Sequence, residues 1–450
     1  MWRRRGGAPA RRRARILYVA DVLIATLRTK TRAKALRLTA AATVVLVLAA
    51  LTGAAALGSP PAGGPVARAA YRQHCSEPYP ARRDPSNPLN LVVAPGSDPL
   101  NGANFFVDGP AHGRAAGAIA RLLGINPNRL SGSLSWASFA HRLQSGELHR
   151  RIARHPGLAR KIAELAKIAG QPEAQRFSIY SEGGGPGKIF AQAEKIFCQN
   201  MQADPGSIPI ITTYFMHPAL GACPSAQEIR DYNPVFHRRI NEMAAATGRR
   251  PAVYLLELDA IGSSSCIARH ASMHGWEADL RYEMRKMQAL PHTVVYVEAG
   301  YSDANGVRYT ARILNAIGIR RIRGFYTNDT HNNWTISEVR WATKISRRTH
   351  GAHFIVNTAT NGRGPKRNRN RVRYGNEDLC NPPGRGLGPE DTAKTGFTYA
   401  DAFLWTHPPG NSGGRCHGGP PSGDFWPARA IAMARHANGK LGPGFPSRPY

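Results

Sequence analysis

The chain has 450 residues, 42% of them hydrophobic, with 46 Gly and 34 Pro, so it can bury one large core or two ordinary ones and is too apolar for wholesale disorder. Its formal charge of +31 points toward nucleic acid only until that charge is located: Arg3 to Arg37 hold 12 Lys/Arg against Asp21 alone, about +11 of the total. The rest is spread thinly along the chain, which argues against a nucleic-acid partner.

In chain order, residues 1–38 read as a basic cytoplasmic lead. Thr39 to Leu57 follow with 19 uncharged residues, enough to cross a bilayer at about 1.5 Å per residue. Positive charge ahead of that run predicts a cytoplasmic N-terminus. Either a transmembrane anchor or a signal segment fits, the second because Ala54 to Ala56 resemble a cleavage site. In both cases Ser59 onward lies outside the membrane, and residues 58–86 read as a linker rich in Pro and Gly. Six cysteines with no Cys-x-x-Cys pair suit disulfides in an exported chain better than a zinc ribbon, and spacing alone leaves their pairing open.

Short apolar, β-branched runs then recur: Phe105 to Val107, Phe177 to Tyr180, Ile208 to Phe215, Ala252 to Leu258, Thr293 to Val297, Ile322 to Tyr326, His353 to Asn357 and Ala402 to Trp405. Between them lie stretches with apolar residues three and four apart, including Ala191 to Met201, Gln227 to Ala246, Glu277 to Leu290, Tyr309 to Ile317 and Ser337 to Arg348. Strand and helix alternate, which predicts one parallel α/β domain over 87–444, a barrel. Gly364 to Arg373, with five cations, reads as a polar basic loop.

Reactive side chains of parallel sheets collect past the C-terminal ends of the strands. That rule selects Glu257 and Asp259, Glu298 and Asp303, and the Tyr326-Thr-Asn-Asp329 strand end. If the strand stays extended, period-two alternation puts Glu257 and Asp259 on one side, where one acid can raise the pKa of the other; a protonated acid is what glycosidic cleavage requires. A salt bridge to Arg or a helix cap explains such acids equally well.

The C-terminal run sharpens this. Cys380-Asn-Pro-Pro-Gly-Arg-Gly-Leu-Gly388, Asp401-Ala-Phe-Leu-Trp-Thr-His-Pro-Pro-Gly-Asn-Ser-Gly-Gly414, Cys416 and Phe425-Trp-Pro427 resemble the end of the catalytic domain in glycoside hydrolase family 6, the inverting cellulases. The resemblance spans about 360 residues and implies a distorted parallel (β/α) barrel with a cleft across its strand ends. It implies Asp259 as general acid, because Leu-Glu-Leu-Asp-Ala-Ile261 is similar to that family's Glu-Pro-Asp-Ala-Leu stretch. It also implies disulfides Cys223 to Cys266 and Cys380 to Cys416, with Cys75 and Cys198 left as a third pair that the family does not support.

This chain departs from the family at positions that matter. Ala222 stands where a second active-site aspartate is usual, Gly413 and Asn411 replace the acids of a Pro-Gly-Glu-x-Asp-Gly stretch, His407 replaces a substrate-contacting Lys, and Leu379 a tryptophan. An inverting reaction still needs a base, and Glu298, Asp303 and Asp329 are the substitutes at strand ends. Tyr214, Tyr301, Asn328, Trp334, His407 and Asn411 fall at or near cleft positions and are the candidate sugar contacts; Trp405 and Trp426 fit the core better. The resulting expectation is an exported or membrane-anchored β-1,4-glucanase, monomeric, acting on polysaccharide without a cofactor or metal. Two alternatives stand beside it: a catalytically impaired polysaccharide binder, and a hydrolase of an acidic envelope glycan held by the cations of 366–373.

Overall fold

A computed structural model describes residues 97–446, apart from 131–134, 181–184, 270–271, 373–374 and 378. These residues belong to the compact unit Ala69–Tyr450. The basic lead, the run Thr39 to Leu57 and the linker expected near the N-terminus lie outside the described residues, among which no helix is long and apolar enough to cross a membrane.

Among the described residues, four helices come first: α1 (Arg114–Leu122), α2 (Trp136–Leu143), α3 (Gly146–Ala153) and α4 (Pro156–Ala169). Strand and helix then alternate as β1 (Gln175–Ser178), α5 (Lys188–Ala203), β2 (Ile210–Tyr214), α6 (Met216–Leu220), α7 (Ala226–Thr247) and β3 (Ala252–Leu256). Next come α8 (Ala260–Ser263), α9 (Ser265–Arg269), α10 (Met273–Gln288), β4 (Thr293–Glu298), α11 (Val307–Ile317), β5 (Gly324–Thr327), α12 (Thr335–Ser346) and β6 (His353–Asn357). A hairpin of β7 (Arg367–Val372) and β8 (Gly375–Glu377) precedes β9 (Ala400–Leu404) and α13 (Pro427–Arg435).

Seven strands pair in parallel in the order β1-β2-β3-β4-β5-β6-β9. Helical crossovers force this arrangement, because parallel neighbours need a long return over one face of the sheet. The faces separate by residue parity. Val253 and Leu255 point inward with Ile210, Tyr296, Ile355 and Leu404, whereas Ala252, Tyr254 and Leu256 point outward beneath the helices. Both faces are therefore apolar, and the strands read as continuous hydrophobic runs rather than alternating ones.

The sheet curls without a closing ladder among the described residues. Ala174 N–H donates to the Trp405 carbonyl at 3.2 Å across the seam between β1 and β9, and a second apolar cluster from α1, α4, α13 and Trp405 covers that side. At the opposite end of the strands from the cleft, Asp401 accepts from Arg323 at 2.7 and 2.8 Å and from Tyr296 at 2.7 Å, and pairs with His353 at 2.8 Å. That network fixes the relative register of β4, β5, β6 and β9.

Two expectations need correction. Phe105 to Val107 contributes only an isolated bridge from Phe105 to Ile208, too short to make a strand of its own. The basic stretch expected as a loop over Gly364 to Arg373 contains β7, whose Arg-Asn alternation carries no apolar signal.

Candidate active site

The strand ends open into a cleft of about 690 Å³ lined by Arg176, Tyr214, Asp259, Tyr301, Asp329 and His407, among others. Asp259 enters it through local backbone geometry. Strand β3 stops at Leu256, and both Glu257 (φ 52°) and Asp259 (φ 60°) take left-handed conformations. The extended continuation expected from period-two alternation is therefore absent, and the two acids separate. Glu257 turns into the interior and accepts from the backbone N–H groups of Phe215 at 3.1 Å and Met216 at 2.9 Å. Burial pushes its carboxyl above the usual range.

Asp259 instead faces the cleft. The Tyr301 hydroxyl donates to its Oδ1, and Thr330 Oγ1 donates to the same oxygen at 3.0 Å. The Thr330 hydroxyl oxygen also lies 2.7 Å from the Tyr301 hydroxyl, so the three groups form a closed triangle in which the one Thr330 hydrogen is shared between Asp259 and Tyr301. Tyr301 is held from behind, its ring stacked on His331 at 3.8 Å between centroids. His331 Nδ1 in turn lies 2.9 Å from Asp303 Oδ1.

Asp303 is thus occupied beneath the wall: Asn333 donates to it at 2.7 Å, and it is not among the cleft-lining residues. Burial acts to raise its carboxyl, but the His331 contact and the Asn333 amide outweigh this and hold it below the usual range. Glu298 is fully buried. It accepts from the N–H groups of Ile261 at 2.8 Å, Gly262 at 2.9 Å and Gly300, so it caps the start of α8 directly behind Asp259. Burial, then the Asp259 charge, pushes it well above the carboxylate range. Neither acid occupies the position expected of a base facing a water in the cleft.

Asp329 does line the cleft. Thr406 Oγ1 donates to its Oδ1, and Arg176 Nη2 lies 3.5 Å from Oδ2. Burial raises its carboxyl to about 6, against the lowering effect of Arg176 and the Thr406 hydroxyl. His407 is 4.0 Å from the same carboxylate, with its imidazole lowered to about 3 by burial and by Arg176 and Arg429, so it is neutral near pH 7.

Of the other expected sugar contacts, Tyr214 and Asn411 line the cleft; Tyr214 O–H pairs with His217 Nδ1 at 2.9 Å. Asn328 and Trp334 do not. Asn328 (φ 68°) donates to the carbonyls of Asn333 and Asn357 at 3.1 and 3.0 Å, a structural lock on the end of β5. Trp334 precedes α12 and packs on the outer core. Arg176, Thr330, His331 and Arg429 are lining residues that sequence reasoning missed. Arg176 begins one residue before an expected strand, and Thr330 and His331 directly follow an expected strand end, so proximity was the available signal.

Both implied disulfides are present, Cys223 to Cys266 and Cys380 to Cys416. Cys198 is also disulfide-bonded, and Cys75 lies outside the described residues.

A curled parallel α/β barrel with carboxylates gathered in a cleft over its strand ends defines the class of this protein. Comparison with known proteins makes it specific: the Glycosyl hydrolases family 6 profile matches residues 217–437, and the chain belongs to that family. Endoglucanase A of Cellulomonas fimi is 28% identical over 275 residues, 61% of this chain but 56% of that protein, so the match covers little more than half of that relative. Endoglucanase 1 of Streptomyces sp. (strain KSM-9) is 29% identical over 303 residues, covering 65% of this chain and 77% of its own length. The endoglucanase Cel6 from Mycobacterium tuberculosis, solved with methyl-cellobiosyl-4-deoxy-4-thio-β-D-cellobioside, superposes with a TM-score of 0.57 at 25% identity, covering 76% of this chain and 99% of that one.

Proposed function

We propose that this chain is an exported glucanase that hydrolyses β-1,4-glucan by single displacement, with Asp259 as general acid. One observation carries the reading: the Asp259 carboxyl sits in the cleft with two hydroxyl donors converging on Oδ1. Oδ2 is thereby the oxygen left to protonate a leaving sugar. The similarity to endoglucanases, one of them solved with a cello-oligosaccharide analogue, supplies the substrate class. The oxidised cysteines fit a compartment outside the cytoplasm.

The test is product analysis on cello-oligosaccharides and soluble β-glucan, following the anomer formed by proton NMR. Wild type should release the α-anomer, and Asp259→Asn should lose about 10²- to 10⁴-fold in kcat. Equal rates in the two proteins would remove Asp259 from this role.

A second reading, binding without cleavage, is favoured by Gly413 and Asn411, which line the cleft without a carboxylate. It predicts that wild type retains cello-oligosaccharides yet forms no product.

A further inference from the structure

An inverting reaction requires a second group to take a proton from the attacking water, and the position at Gly413 supplies none. Among the described residues, the acids lining the cleft are Asp259 and Asp329. Asp259 follows β3 and Asp329 follows β5, with β4 between them. Two interstrand steps of about 4.8 Å put their backbones roughly 10 Å apart, on the scale of the about 6.5 to 9.5 Å separation of inverting carboxyl pairs. Thr330, the neighbour of Asp329, reaches Asp259 at 3.0 Å, so one short loop sets the spacing of both acids.

The surroundings of Asp329 suit proton acceptance. Oδ1 is anchored by the Thr406 hydroxyl, whereas Oδ2 is buried with no hydrogen-bond donor on it and only Arg176 nearby, at 3.5 Å. A fixed cation beside a buried carboxylate favours its ionised form, as a base requires. The other two candidates stand outside the cleft lining: Glu298 has both oxygens taken by three backbone N–H groups, and Asp303 is held through Oδ1 by His331 and Asn333.

We propose that Asp329, positioned by Arg176 and Thr406, is the general base of this chain. The inference rests on the hydrolase reading above. The water oxygen bonds to the anomeric carbon as the glycosidic C–O bond breaks; the water proton passes to Asp329 Oδ2, and the Asp259 proton passes to the leaving oxygen. Exchange with solvent then restores both groups. Arg176 is a positioning residue: its charge keeps Asp329 ionised at lower pH than burial alone would allow.

Two substrates separate the roles. Dinitrophenyl β-cellobioside has a leaving group that needs no proton, so Asp259→Asn should recover most of the wild-type rate on it, while Asp329→Asn should stay at least about 10²-fold slow on it and on glucan alike. The acid limb of the kcat/KM profile should vanish in Asp329→Asn. In Arg176→Gln, which keeps the carboxylate, that limb should move to higher pH because the cation opposing protonation is gone. Asp329→Asn within threefold of wild type, or recovering on the activated substrate as Asp259→Asn does, overturns the assignment while leaving the hydrolase reading intact. If Asp329→Asn does not fold, an unshifted limb in Arg176→Gln overturns it. A wild type inactive on both substrates removes the hydrolase reading and this inference together.

Discussion

At the residue scale, chemistry here is decided by where a carboxylate's oxygens are spent. Glu298 and Asp259 belong to neighbouring strand ends, yet one is a buried cap and the other a cleft acid, because three backbone N–H groups converge on the first and two hydroxyls on one oxygen of the second. Glu298→Gln tests this division. The amide can satisfy Ile261 and Gly262 with its oxygen but then turns an NH₂ toward the Gly300 N–H, a clash of donors costing about 1 to 3 kcal/mol. Thermal unfolding should show that loss, and kcat should fall through displacement of α8 and Asp259, while the acid limb of the pH profile stays in place. A vanished limb would make Glu298 the base. The sequence marks these acids as strand-end candidates but cannot rank them: the separation depends on left-handed backbone at Glu257 and Asp259, which period-two reasoning does not anticipate.

At the element scale, a buried polar thread ties α6, α10, β2 and β3 together behind the cleft. Thr213 Oγ1 donates to Glu283 Oε1 at 2.8 Å and accepts from the Glu257 N–H at 2.9 Å. Burial raises both carboxyls, and for Glu283 the Glu257 charge adds to it. The folded state therefore holds protons that the unfolded chain releases above about pH 4.3. Their stabilising contribution is complete below that pH and is lost as pH rises through the raised folded values. Glu283→Gln removes one titration while keeping an acceptor for Thr213. Calorimetric melting temperatures of the variant should fall less between pH 5 and pH 8 than those of wild type; parallel curves would show that the pair does not couple proton binding to folding. Most of the parallel sheet was legible because its strands are buried on both faces and spell β-branched runs. The helices α2 and α3 were not, at eight residues each with Gly146 at their junction, whereas the 14-residue α4 carries Leu158, Ile162, Leu165 and Ile168 at helical spacing behind an N-terminal Pro156, a signal that was there to read; the β7–β8 hairpin was hidden because its alternation is between polar residues.

At the scale of the whole molecule, the barrel body and the cleft rim are stabilised by different means. The body rests on apolar packing on both sides of the sheet, whereas the two disulfides whose cysteines are both described lie in segments beyond the strands' C-terminal ends: Cys223 follows α6 and joins α9, and Cys380 follows β8 and joins the segment after β9. Each adjoins lining residues, Ala222 and Ser265 for the first, Leu379 and Asn381 for the second. Pairs separated by 43 and 36 residues should each contribute about 2 to 4 kcal/mol, chiefly by restricting the unfolded chain. Replacing Cys380 and Cys416 together by Ser should therefore lower the melting temperature. The more diagnostic effect lies below that temperature: the wall carrying Asn411 and Gly413 loses its covalent tie and is left with the Asn381 hydrogen bonds to Gly413 at 2.8 Å and Gly414 at 2.7 Å, so KM for β-glucan should rise several-fold while far-ultraviolet circular dichroism and the rate on a small aryl cellobioside change little. Equal losses on large and small substrates would place the effect in the barrel body, because Asp259 and Asp329 are anchored by strands β3 and β5 and by side chains that this bridge does not touch.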